Sequence, residues 1–158
     1  MTNKYESMEG ILRLYELRRE ETMRQARVWF TGFQPTSAQD ILNVFRGDES
    51  AYYRMVTSYW DMACSFVNHG AIDEQMFNDT VFEHVAVFAK VQPFLEELRA
   101  ASGVPQYLRH LEQVVTRMPD SEALVARMRE VTKAMTTGRA PRERPQDQIS
   151  SPPAPAGD

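Results

Sequence analysis

Residues 49–68, ESAYYRMVTSYWDMACSFVN, decide how this chain folds. Tyr52, Met55, Val56, Tyr59, Trp60, Met62, Ala63, Phe66 and Val67 recur at three- and four-residue steps, the period of an α-helix. Their arc covers about half of the helix circumference, wider than the apolar stripe of an ordinary surface helix. A helix of this kind belongs at the centre of a bundle, with other helices packed around it. Along the remaining face runs a polar line of Arg54, Ser58, Asp61, Ser65 and Asn68 at the same spacing.

On the N-terminal side, Met8, Leu12, Tyr15, Thr22, Ala26, Trp29, Phe30 and Phe33 predict one amphipathic helix from about Glu6 to Gly32, ended by Gly32 and Pro35. Ser37 with Asp40 three residues on reads as a capping box for a short helix that stops at Gly47. On the C-terminal side, Asp73 opens a further helical stretch. Thr80 to Glu83 matches a second capping box, and the stripe Val81, Val87, Phe88, Val91, Leu95 and Leu98 runs on to Gly103, kinked at Pro93. Pro105 fits the first turn of a fifth helix, and Pro119 separates that helix from a sixth. The expectation is an all-α, irregular bundle of about five to six helices, forming a single domain over residues 1–137. Residues 138–158 hold five prolines and one large aliphatic residue, Ile149, and are expected to be a disordered tail.

Composition bounds the function. Hydrophobic residues make up 42% and charged residues 25%, a globular balance. The net charge of −4 lacks the basic excess that phosphate neutralisation requires, so nucleic acid is not an expected partner. A single cysteine, Cys64, closes no intramolecular disulfide, and residues 1–10 lack the apolar stretch of a signal peptide. No apolar run approaches the ~20 residues of a membrane span. Together these features lead us to expect a soluble, cytoplasmic protein.

Four short elements carry a resemblance to a known family. They are Tyr59-Trp60-Asp61 with Ala63, the run His69-Gly70-Ala71-Ile72-Asp73-Glu74, the run from Pro93 to Arg99, and the aromatic-led helix from Tyr107. Over about residues 59–115 the chain resembles a bacterial helical domain-of-unknown-function family, the family 4760 type. The resemblance implies an all-helical fold and supplies no activity. Members of that family often carry an N-terminal membrane anchor, which this sequence is expected to lack.

Some polar residues stand out against the pattern. Arg19 falls inside the apolar stripe of the first helix and Arg18 on its edge, where a charge must reach solvent or meet an acid. Asp61 is the acid expected to pair with Arg19. His84 lies on the apolar face of its helix, as a satisfied core residue or as a ligand-binding group. His69, at a helix end, suits the C-terminal dipole, and His110 is expected on an outer face. The histidines show no Glu-x-x-His spacing, and there is no phosphate-binding or nucleophile-elbow motif, so no metal or cofactor is expected and no catalytic residues are identified, although an enzyme's site can also be assembled from distant residues.

The leading expectation is therefore a helical interaction or scaffold domain that meets a protein partner or a second copy of itself. An alternative is a small-ligand-binding protein or enzyme with a polar pocket around Arg19, Asp61 and His84, with Arg18 beside them. A third is a peripheral membrane adaptor, using Trp29, Phe30 and Phe33 at the end of the first helix as its contact; the same residues also suit a protein partner.

Overall fold

The structure, a computed structural model, describes residues 3–137. In chain order the helices are α1 (Lys4–Arg19), α2 (Glu21–Gly32), α3 (Ala38–Arg46), α4 (Ser50–Asn68), α5 (Glu74–Thr80), α6 (Glu83–Val91), α7 (Leu95–Ser102), α8 (Arg109–Arg117) and α9 (Ser121–Thr137). A 3-10 turn at Gln92–Phe94 joins α6 to α7, and no strand occurs among the described residues. The fold is all-α. The expected tail, 138–158, lies outside the described residues.

Helix α4 is the centre of the bundle. It buries Tyr53, Val56, Thr57, Tyr59, Trp60, Ala63, Cys64 and Val67, with α2 and α8 as its principal neighbours and α3, α5 and α6 also against it. At one end Tyr53 meets Phe30, Phe33 and Phe45 in tilted and edge-to-face contacts, the geometry aromatic quadrupoles favour. Nearer the other end Trp60 packs against Tyr59 and His84. The polar line along α4 is a docking strip for α8. Asp61 Oδ1 accepts from the Leu111 amide at 2.9 Å, and Asn68 Nδ2 donates to Gln113 Oε1 at 3.1 Å.

The helices are more divided than the sequence suggested. The expected first helix is two, broken at Glu20, whose backbone is extended (φ −55°, ψ 140°) and whose carboxylate accepts from the Thr22 and Met23 amides. Glu20 is thus the N-cap of α2, a role that outcompetes continuation of α1. One non-helical residue shifts the phase of the pattern, so α1 does not bury the stripe expected of it. Ser7 and Leu14 face inward, while Met8, Leu12 and Tyr15 face out.

The capping box at Ser37 and Asp40 forms as expected. The one at Thr80 and Glu83 does not. The Thr80 hydroxyl donates back to the Met76 carbonyl at 2.8 Å, and the Glu83 side chain is drawn away by arginines of α1 and α2. Pro105 does not start a helix either; residues 105–108 are turns, and α8 begins after Leu108, which sits at φ 54°. Pro93 lies in the 3-10 turn, an exposed kink as its position implied.

Candidate functional site

The strongest polar cluster is centred on Glu83, the first residue of α6. Arg27 of α2 grips it in a fork: Nε donates to Oε1 at 2.8 Å and Nη2 to Oε2 at 2.5 Å. Arg18 of α1 reaches Oε2 at 3.4 Å, and the Trp60 indole N–H reaches Oε1 at 3.4 Å, both long and therefore weak. The Arg18 guanidinium lies 5.4 Å from the ring centres of both Tyr15 and Trp60, within cation–π range. Two arginines share one carboxylate, so the cluster carries a surplus positive charge, and Arg18 is the less committed of the two. Hydrogen bonding to Glu83 raises the pKa of Arg27 above its ordinary value, so Arg27 stays charged.

Beside Arg18 opens a cavity of about 310 Å³ between α1, α4 and α5. Ile11, Leu14, Tyr59, Trp60, Phe77 and Val81 supply apolar walls. The cavity persists because α1 is held at its edges. The Tyr59 hydroxyl donates to the Leu14 carbonyl, the Ser7 hydroxyl accepts from the Asp73 amide, and Gly10 rides against Ile72. Its volume is at the small end of ligand pockets, and its lining suits an apolar occupant.

Outside the cavity rim, α1 presents Tyr5 (60% exposed), Met8 (41%), Leu12 (55%) and Tyr15 (54%) to solvent. Leu12 and Tyr15 also line the cavity mouth, so stripe and cleft form one continuous apolar surface.

The sequence-expected sites fare unequally. Arg19 is exposed and forms no ion pair among the described residues, so the expected Arg19–Asp61 pair is not present. The break at Glu20 ends α1 with Arg19 turned outward, and Asp61 is spent on the start of α8. The lining of the cavity beside Arg18 includes none of Arg19, Asp61 and His84. Arg18, the fourth candidate, is the one that reaches a cavity.

His84 is fully buried between Trp60 and Phe77, and neither ring nitrogen has a hydrogen-bond partner among the described residues. It is a core histidine, as one expectation held, but not a satisfied one. Burial pushes its pKa down to about 4, so the ring is neutral. Phe30 is buried, while Trp29 and Phe33 are half-buried, stacked on one another with ring centres 5.1 Å apart. His69 does cap a helix end, with Nδ1 2.8 Å from the Ser65 carbonyl, and His110 is half-buried against Asn68.

Two participants escaped the sequence reading. Glu83 was assigned to a helix cap, and nothing local in the sequence marks it as the partner of arginines 56 and 65 positions away. Lys90 is buried, with Nζ donating to the Phe30 and Thr31 carbonyls at the C-terminus of α2 and lying over the Phe30 ring. Burial pushes its pKa down to about 8. Its place in the run Val87-Phe88-Ala89-Lys90-Val91 was the available signal. Among the described residues no group of three or more His, Cys, Asp or Glu is arranged to hold a metal ion.

The model of a family described as a domain of unknown function, DUF4760, matches residues 5–118. The chain belongs to this family. The DUF4760 match runs from α1 through α8, well beyond the segment from residue 59 to 115 on which the resemblance was first seen. It takes in Arg18, Arg27, Glu83 and the exposed stripe of α1. Neither the curated proteins nor the solved structures contain a match to this chain. No helix among the described residues is long and apolar enough to cross a membrane.

Proposed function

We propose that this chain is a protein-interaction domain that receives an amphipathic helix along the outer face of α1. The supporting observation is the uncovered line of Tyr5, Met8, Leu12 and Tyr15, continuous with the cleft beside Arg18. Contiguous exposed apolar surface is uncommon on monomers and marks docking sites, and a helix face with anchors three and four residues apart is one recurring form. The charged groups nearest the cleft are held within the domain by Glu83, so the face itself offers apolar contact with polar edges.

The test is a photo-crosslinking residue placed at Leu12, compared with one at the exposed Arg127 of α9, in intact cells. Discrete protein adducts at position 12 and none at 127 are the expected result. Absence of protein adducts at position 12 would remove the reading, and adducts to lipid alone would transfer it to the membrane-adaptor alternative.

A second reading has one specific observation behind it. The surplus positive charge at Arg18, at the mouth of the apolar cavity, suits a small ligand with an apolar body and a carboxylate head. Native mass spectrometry of freshly purified protein, which retains such a ligand, separates this reading from the first.

A further inference from the structure

Four of the five large apolar residues that α1 exposes are spaced in sevens; the fifth, Leu17, lies off the pattern. Tyr5, Met8, Leu12 and Tyr15 follow steps of three, four and three, and the next step of four lands on Arg19. That is the a and d pattern of a coiled-coil seam, two heptads long. The residues α1 turns toward its own domain, Ser7 and Leu14 with the half-buried Gly10, Ile11 and Arg18, centre on a different face. At 100° per residue that face is centred about a third of a turn from the seam. A second helix in the seam meets the domain along the Ile11 and Arg18 flank, where Leu12 and Tyr15 adjoin the cleft.

The flanking residues select an orientation. Glu9 and Glu16 lie on one side of the seam, and Lys4, Ile11 and Arg18 on the other. If a second α1 runs parallel to the first, Lys4 of each copy faces Glu9 of the other. If it runs antiparallel, Glu9 faces its own copy, so like charges meet on that flank and the Lys4–Glu9 attraction is lost. The parallel seam layers Tyr5, Met8, Leu12 and Tyr15 each on its own counterpart. Arg19 then ends it, one residue before the helix breaks at Glu20.

Resting on the interaction reading above, we infer that the occupant of the α1 face is the α1 of a second copy of this chain, in a parallel, two-fold symmetric pair. Two heptads make a small interface, so the pair is weak and concentration-dependent. An isologous contact of this kind closes on itself and does not propagate into filaments.

Sedimentation velocity on the full chain, from micromolar to millimolar concentration, is the first test, with a reversible monomer–dimer equilibrium as the expected result. Leu12→Glu, at an exposed position that leaves the circular dichroism unchanged, should abolish the dimer. Lys4→Glu should weaken it roughly tenfold, and adding Glu9→Lys in the same chain should restore it, because the two flanking attractions are recreated with reversed sign.

Orientation is read separately. Met8→Cys and Leu12→Cys proteins are mixed in equal amounts and oxidised; Cys64 is buried and stays out of reach. Homodisulfides of each variant are the parallel outcome, and a mixed disulfide between the two variants would overturn the register. A chain that remains monomeric at every concentration would overturn self-pairing altogether. In that case, protein adducts from the photo-crosslinker at Leu12 would preserve the broader interaction reading with a different partner, and their absence would remove both.

Discussion

At His84, two ring nitrogens are enclosed by Trp60 and Phe77 with no hydrogen-bond partner among the described residues. The consequence is a pH dependence of definite sign. The unfolded imidazole titrates near 6.5 and the folded one near 4, so the unfolded chain takes up the proton first. Stability is complete above about pH 6.5 and falls as the pH drops toward 4, by about 3 kcal/mol in total. Replacing the ring by His84→Leu forfeits no hydrogen bond and should leave stability at pH 7 equal or higher, while flattening the loss between pH 6.5 and 4. Urea midpoints at pH 7 and pH 5 check this, and an unchanged slope in the variant would contradict it. Asp40 and Glu20 act lower on the scale. Amide hydrogen bonds hold their carboxyls below the ordinary range, so what they contribute is kept above that range and lost as the pH falls through their depressed values. A second prediction concerns Glu83. Glu83→Gln leaves Arg18 and Arg27 facing each other without a counter-charge and should cost about 2 kcal/mol, partly recovered when Arg27→Met is added. A double-mutant cycle on unfolding free energies should give a coupling above ~1 kcal/mol, whereas the exposed Arg19→Ala should change stability by less than ~0.5 kcal/mol.

Helices whose burial is decided by their own period were legible from sequence. Helix α4 is central because its apolar arc is wide, and the start of α3 follows from Ser37 and Asp40. What was not legible depends on contacts distant in the chain. No proline or glycine marks Glu20, and the apolar period runs through it without interruption. The break follows from α1 being drawn onto α4 and α5 by Tyr59, Asp73 and Ile72, none of which is near it in sequence. The same holds for the site. Arg18 and Arg19 both stand out as anomalies, but the expected pair joined Arg19 to Asp61, whereas Arg18 meets Glu83, which reads locally as a cap. Gly10 tests how α1 is seated. A side chain there would start 3.3 Å from Ile72 Cγ1, so Gly10→Leu must lift α1 from its bed. The cost should be about 1–3 kcal/mol, the range for overpacking, with weakened hydrogen-exchange protection confined to α1. Loss of protection spread evenly over all helices would show that α1 does not yield by itself.

For the molecule as a whole, stability is concentrated in the rings on α4. Trp60 is 1% exposed and touches Tyr59, His84 and the cation of Arg18. Trp60→Ala should cost about 3–5 kcal/mol against a total near 5–15 kcal/mol, leaving a marginal or insoluble chain. Chemical denaturation of whatever soluble protein is obtained checks this, and wild-type stability would move the core elsewhere. Self-association adds a signature that a monomer cannot imitate: the melting temperature should rise with protein concentration, and Leu12→Glu should remove that rise.

The extended residue at Glu20 also separates α1 from the helices that follow it. Helix α2 starts on its own cap and buries Met23, Ala26 and Phe30. Helix α1 is joined to α2 through that one residue, and an opening confined to α1 would leave the amides of the other helices protected. Partner binding that closes such a flap shows first in the amides of the flap. Occupancy of the α1 face would therefore register in local amide exchange well before it registered in global denaturation.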